Sequence, residues 1–360
     1  MPSSHKLARN LTSLDIFCLA TGAMISSGIF VLPGIAYART GPSVIISYLL
    51  AGVMVAIGMY NTLELATAMP KAGGDYFFVS RTLGPVVGSI AGILNWFSLS
   101  LKSAFALTGL AAMIQLYLGW NMHLVGLVLG AVFIILNLAG SKHVGNFQIV
   151  LVAVLLLIMG YYIYHGSYHF SLKPFLDFAP YGAHRILATA GFVFVAYGGL
   201  LKIPSVAEEV RDPRRDLPRG MIGALLTVVA LYVTMVAIAI ATLPPAKLAS
   251  SLTPIQESAS TFLGKPGIFA IGLAATLAFV TTANAGIMAS SRYLYALSTD
   301  NYLPPFFSRL NARTGVPVGA VIVSGIFITA VQHLNREILV TAASLVLIFS
   351  FLLSCVCVLV

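Results

Sequence analysis

The sequence predicts an all-α membrane protein of about ten spans arranged as two inverted five-helix repeats. Three observations carry that prediction. Of 360 residues, 59% are hydrophobic and only 9% are charged, whereas a soluble domain carries about 25% charged residues. The apolar residues fall into long runs, at about 11–37, 43–68, 84–117, 121–140, 145–165, 184–210, 219–243, 266–297, 316–334 and 337–360, and about 20 such residues suffice to cross a bilayer. Runs one and six, five apart, both contain helix breakers at membrane depth, as an inverted repeat with a central binding site requires. The repeats would be 1–165 and 184–360, in a single transmembrane domain.

Run one contains Ser26-Ser27-Gly28, with Pro33-Gly34 beyond it. Gly costs about 1 kcal/mol relative to Ala in a helix, and Pro removes a donor and clashes with the preceding turn. Backbone groups freed in a membrane are tolerated only where protein or a polar cavity satisfies them. The segment is therefore expected to be unwound and to line a site; the alternative is that its small residues serve close helix packing. Run two ends in Pro70, and Gly73-Gly74 allows a sharp turn into a short interfacial piece, Tyr76 to Thr82. Glu64, near the end of that run, is expected to pair or to cap.

Run three places Lys102 near mid-bilayer, where a Lys costs about 2.5–3.5 kcal/mol on insertion scales. It either faces a cavity as a fixed charge or proton carrier, or is neutralised locally. Run six carries Gly198-Gly199 and Pro204, so Gly28 and Gly199 are expected to face each other across the pseudo-two-fold axis. Lys202, one turn on, either reaches the pathway or snorkels toward water. Thr281 and Thr282 in run eight offer hydroxyls that suit a hard cation or that bond back to their own helix. Carbonyls freed over Val195, Ala196, Tyr197, Gly198 and Gly199 suit an ammonium, and the half-helix after Ser27-Gly28 suits a carboxylate. A zwitterion needs no buried acid or base there.

The net charge of +9 follows topology. With the N-terminus cytoplasmic, inner loops hold Lys6, Arg9, Lys71, Arg81, Lys142, Arg211, Arg214, Arg215, Arg219, Arg292, Arg309 and Arg313. The outer loops hold half as many: Arg39, Lys173, Arg185, Lys247, Lys265 and Arg336. This is the positive-inside asymmetry and gives no reason to invoke nucleic acid. The three cysteines, Cys18, Cys355 and Cys357, lie in apolar runs and form neither a disulfide framework nor a zinc motif. The spans hold no paired carboxylates, no His/Cys cluster and no nucleophile with its base, so an enzyme is not expected. No cofactor is implied.

Four stretches resemble motifs of the amino acid–polyamine–organocation superfamily. They are Ser26-Ser27-Gly28-Ile29-Phe30, with Ser26 in place of the family's first Gly; Glu64 to Tyr76, which follows its E-L-A-x-A-x-P-x-A-G-G-x-Y pattern; Ala207 to Pro218; and Ser291-Arg292-Tyr293-Leu294-Tyr295-Ala296. The resemblance implies a LeuT-like fold with helices 1 and 6 broken, and an amino acid permease of the cell membrane working by symport or antiport. By that likeness Ser27, Gly28 and Ile29 would hold the substrate carboxylate, with Ser26 beside them. Met24, Val195 and Gly198 would hold the amine. Lys102, Lys202, Thr281 and Thr282 are the coupling candidates for H+ or Na+, with a sodium position at the two threonines. A lysine that some relatives carry in span five is matched here by Leu155. The aromatic and the acid of arginine-exchanging relatives are matched by Val195 and Leu201, which implies a neutral substrate. A polyamine or organic-cation carrier, or a non-transporting sensor on the same fold, stays open. The region 243–267 would form an external lid, and Glu208 and Glu209 would pair with nearby arginines. Family members often have about twelve spans, which implies that this chain is a fragment.

Overall fold

The computed structural model describes residues 9, 11–71, 73–139, 141–334 and 336–359; within these, the side chains of 27, 116–117, 141–147, 202, 336–338, 340 and 359 lie outside the description. Residues 1–8 and 10, which include Lys6 of the orientation argument, lie outside it as well. Among the described residues there is no strand, only two isolated bridges. Six helices are long and apolar enough to cross a membrane, and three shorter apolar helices accompany them.

The first span is in pieces. Helix α1 (Ser13–Met24) starts with a capping box, in which Thr12 and Asp15 each satisfy the other's backbone N–H. It stops where Ile25 turns extended, at φ −71° and ψ 106°. A four-residue helix, α2 (Ser27–Phe30), follows. After a second irregular residue, Val31, α3 (Leu32–Thr40) starts with Pro33 in its first turn, where a missing donor does no harm. The gap thus lies at Ile25-Ser26. Gly28, which the sequence reading placed in the unwound stretch, is helical.

Helix α4 (Val44–Ala68) is the second span, and Gly73 and Gly74 turn with φ of 91° and 46° into α5 (Asp75–Thr82). Helix α6 (Pro85–Leu118) carries Lys102 at its centre, followed by α7 (Met122–Leu138) and α8 (Ser141–Ser167).

Span six corrects the expectation of a broken helix. Helix α9 (Gly182–Val193) passes into 3-10 winding over Phe194–Tyr197 and again over Leu200–Glu209. Gly198 and Gly199 keep right-handed helical dihedrals, φ/ψ −59°/−17° and −62°/−30°. The chain tightens instead of opening. Gly198 donates to the Val195 carbonyl at 3.1 Å, a three-residue hydrogen bond. Pro204, without an N–H, sits inside the tightened segment.

Helices α10 (Pro213–Thr242), α11 (Pro245–Ser250), α12 (Pro254–Thr299), α13 (Val318–Val331) and α14 (Arg336–Leu359) complete the chain. α12 is two helices joined at Gly264, whose φ of 61° makes a corner. Its first arm and α11 form the hairpin expected at 243–267. A Cβ on Gly34 of α3 would lie 2.2 Å from the Ser251 carbonyl, so the hairpin sits tightly on that end of the first span.

α6 and α12 pack along each other closely enough that a Cβ on Gly286 would lie 1.6 Å from Ser103 Oγ, and one on Gly109 2.8 Å from the Phe279 ring. Small residues at such a seam let membrane helices approach. Polar groups tie the same body together: Asn137 of α7 donates to Asn284 of α12 at 2.9 Å, and Trp96 of α6 donates to Ser324 of α13 at 3.0 Å. The first span and the 3-10 half of span six lie against this body and against α10.

Candidate functional site

The gap at Ile25-Ser26 releases carbonyls deep in the protein, and most of them find donors on other helices. Tyr232 of α10 donates to the Met24 carbonyl at 2.8 Å, and Tyr48 of α4 donates to the Gly28 carbonyl at 2.8 Å. Thr282 of α12 reaches the Gly22 and Ile25 carbonyls at 3.1 and 3.3 Å. Thr281 bonds to its own helix at Ala278, 2.9 Å, and across to Gly22 at 3.3 Å. The Lys102 ammonium of α6 donates to the Ala23 carbonyl at 2.8 Å. The Ser26 carbonyl accepts from the amides of Ile29 and Phe30, at 3.2 and 3.5 Å. A buried carbonyl left unpaired costs about 1–3 kcal/mol, so these donors hold the gap open at tolerable cost.

Three tyrosines form a buried wall behind the gap. Tyr48 and Tyr232 meet edge to face with ring centroids 5.8 Å apart, and Tyr197 and Tyr232 lie 5.2 Å apart. Tyr197 donates to the Tyr48 backbone at 3.1 Å. Sequence reasoning selected Tyr197 but missed Tyr48 and Tyr232. A tyrosine in an apolar run reads as packing, and nothing in the order of residues tells which carbonyl its hydroxyl will meet.

Spans one and six touch through glycine. A Cβ on Gly28 would lie 2.5 Å from Ala196 Cβ and 2.9 Å from its Cα, and one on Gly199 would lie 2.2 Å from the Ala23 carbonyl. Gly28 and Gly199 therefore do not face each other; each meets the backbone of the opposite span a few residues away. In this conformation the small residues serve close approach.

Two cavities flank this contact. One, of about 10 Å³, is lined by Ser26, Gly28 and Leu32 of the first span, Lys102 and Phe105 of α6, Val195 and Ala196 of span six, and Leu339 and Ala343 of α14. It has room for about one water, and four of the sequence-selected residues and Lys102 share its wall. The other, of about 40 Å³, also has Lys102 in its wall. Among its walls are Ala23, Ser103, Gly199, Ile203, Val206, Thr282 and Gly286, and it has room for roughly three waters. Among the described residues Lys102 is the one common to both walls. Among the described residues no carboxylate lines either cavity.

The remaining selected residues are more dispersed. Ile29 is fully buried, and Gly198 packs against Leu347, not against a cavity wall. The side chains of Ser27 and Lys202 lie outside the described residues. Below the site, at the end of span six that leads to Arg211, Glu209 pairs with Arg292 of α12 at 3.4 Å, the two side chains 5% and 4% exposed. The sequence reading expected Glu209 to pair with a nearby arginine; the arginine it meets, Arg292, is distant in sequence and lies on the facing helix. The Glu209 carbonyl also accepts from Leu11, and Arg211 donates back to the Leu11 carbonyl, which ties the start of span one to the end of span six. Glu64 is exposed and lines a groove with Arg214.

A family model described as amino acid permease matches residues 15–360. The chain is 26% identical over 339 residues to cationic amino acid transporter 1 of Arabidopsis thaliana, across 89% of this chain and 57% of the relative. It is 29% identical over 349 residues to the vacuolar cationic amino acid transporter 2 of that plant, across 89% of this chain and 54% of the relative. To the methylthioribose transporter of Bacillus subtilis (strain 168) it is 30% identical over 350 residues, 90% of this chain and 74% of that protein. The chain spans little more than half the length of the two plant relatives.

Proposed function

Since the chain belongs to the amino acid permease family and is thereby a multi-pass membrane protein and not an enzyme, we propose that it moves amino acids with uncharged side chains across a membrane by alternating access. The substrate zwitterion lies at the gap of span one. Its carboxylate meets the amides and hydroxyls of Ser26 to Ile29, and its ammonium meets carbonyls of the first half-helix and of Val195 to Gly199. The observation that carries this reading is that Ser26, Gly28, Val195 and Ala196 line one cavity around a backbone gap. That cavity is far too small for an amino acid, so binding requires the Gly28–Ala196 contact to open. The ten-span, five-plus-five arrangement, with spans one, two, six and seven moving against three, four, eight and nine, is part of the same proposal. So are the cell membrane as its location and a cytoplasmic N-terminus.

Coupling is to protons or sodium, or transport is by exchange. The Thr281 hydroxyl lies 3.3 Å from the Gly22 carbonyl and 2.9 Å from that of Ala278, and the Thr282 hydroxyl lies 3.1 and 3.3 Å from those of Gly22 and Ile25. That all-oxygen donor set fits a hard monovalent cation, with the two hydroxyl protons turned away. A carrier of polyamines or organic cations would need acidic groups along the path, and the described residues of the two cavity walls include none.

Radiolabelled amino acid uptake into proteoliposomes tests the proposal, under a proton gradient, a sodium gradient or neither. Accumulation of a neutral amino acid under one gradient, or counterflow with none, is the expected result. Absence of both for every amino acid removes the transport reading. Ligand-dependent thermal stabilisation without counterflow would indicate a sensor instead.

A further inference from the structure

We propose that Lys102, a residue of the substrate-cavity wall, determines specificity: its ammonium, held beside that cavity on the Ala23 carbonyl, excludes amino acids with cationic side chains. This rests on the transport reading above and names the residue behind the substrate class. The argument has three parts. First, Lys102 is fixed in position, since its Nζ donates to the Ala23 carbonyl at 2.8 Å. That carbonyl belongs to the last turn of α1, the end of a helix at which positive charge is stabilised. Second, Lys102 lines the cavity at the gap together with Phe105, Leu339 and Ala343; in the pose proposed above, Ser26 and Gly28 take the substrate backbone, which leaves these residues to the side chain. A substrate whose ammonium and carboxylate engage the gap must direct its side chain toward this group. Third, among the described residues no carboxylate lines either cavity to offset a second cation. In a site of low dielectric, repulsion between like charges is much stronger than in water.

The relatives compared include transporters named for cationic amino acids, so the inference separates this chain from the substrate those names suggest. Neutral side chains, which gain packing against Phe105 and Leu339 without the repulsion, are admitted.

The test is a competition series in proteoliposomes with L-leucine, L-serine, L-lysine and L-arginine. It compares wild type, Lys102→Met, Lys102→Gln and Lys102→Arg, with retention of a monodisperse peak in detergent as the folding control. Wild type is expected to prefer the neutral pair by at least tenfold. Lys102→Met and Lys102→Gln are expected to improve the apparent affinity for lysine and arginine by tenfold or more relative to leucine, mainly through KM, and Lys102→Arg is expected to keep the wild-type ratio. A wild type that prefers lysine or arginine overturns the inference even if no variant folds. An unchanged neutral-to-cationic ratio in folded Lys102→Met overturns it while leaving amino acid transport standing. Failure of wild type to take up any of the four, and of any other amino acid to compete, overturns the transport reading and this inference together.

Discussion

The first and sixth spans both carry glycines and a proline at membrane depth, yet they solve the problem in opposite ways. Span one opens: Ile25 is extended, and the carbonyls around it depend on Tyr48, Lys102, Tyr232 and Thr282 from four other helices. Span six tightens: its residues stay helical, and its backbone pairs mostly with itself in 3-10 turns. The difference sorts what each span offers. Span one, which gives up its own hydrogen bonds, presents backbone groups at its gap. Span six, which keeps most of its own, presents Val195 and Ala196 to the cavity wall and glycines that allow contact. An opening motion of span one would exchange hydrogen bonds with its neighbours, while span six can move as a wound rod.

The contrast breaks most directly at Gly28. Gly28→Leu would drive a side chain into Ala196, whose Cα is 2.9 Å from the first added atom. The expected outcome is complete loss of amino acid binding and uptake with membrane insertion unchanged, read by uptake and by surface expression. Unaltered affinity would mean that the site lies elsewhere and that the gap is only a packing device.

Much of this was legible in the residues. Ser-Ser-Gly within a run long enough to span a bilayer announced the interruption, and the Pro70 to Gly74 turn appeared where the chain requires positive φ. The position of the gap was less legible: Ser27 and Gly28 are poor helix formers, but the helix is interrupted at Ile25 and Ser26, with Ile25 extended, where the freed carbonyls meet donors. Span six misled for a related reason. Gly198-Gly199 permits many conformations, and tertiary contact with Ala23 and Leu347 selects a helical one. The tyrosine wall and the acceptor of Lys102 were not legible at all, since they join residues up to 208 positions apart. Arg292 was visible as part of a motif, but its pairing with Glu209 was not.

A second, smaller effect sharpens the comparison at the far end of span six. Glu209→Gln would leave Arg292, 4% exposed, without its charge partner. Removing one member of a buried pair costs about 3–5 kcal/mol. A marked fall in the thermal unfolding temperature in detergent is expected, with partial recovery in Glu209→Gln/Arg292→Met. A change no larger than that of an exposed control such as Glu64→Gln would show that span six is not anchored there. Smaller again is Tyr232→Phe, which removes only the hydroxyl that serves the Met24 carbonyl. The loss should be about 1–3 kcal/mol of stability, accompanied by weaker substrate binding, because that carbonyl borders the gap. Loss of stability with binding intact would detach the tyrosine wall from the site.

The smallest expected effect is the most discriminating, because the same substitution is placed on both spans. Gly198→Ala adds a methyl that meets the Leu347 side chain at 2.3 Å, the end of a flexible group that can turn aside. Gly198 already has helical dihedrals, so alanine fits its backbone, and a Gly→Ala change at a compatible position gains about 0.4–1 kcal/mol by restricting the unfolded chain. That gain should roughly offset the repacking of Leu347, leaving uptake and unfolding temperature close to wild type. Gly28→Ala meets backbone instead, and Ala196 cannot yield without moving span six; uptake should fall several-fold or more. If both alanines are tolerated, the two spans are not in contact during transport. If both are damaging, span six must unwind at Gly198 in some step of the cycle, and the division between an opened span and a wound one holds only for the conformation described.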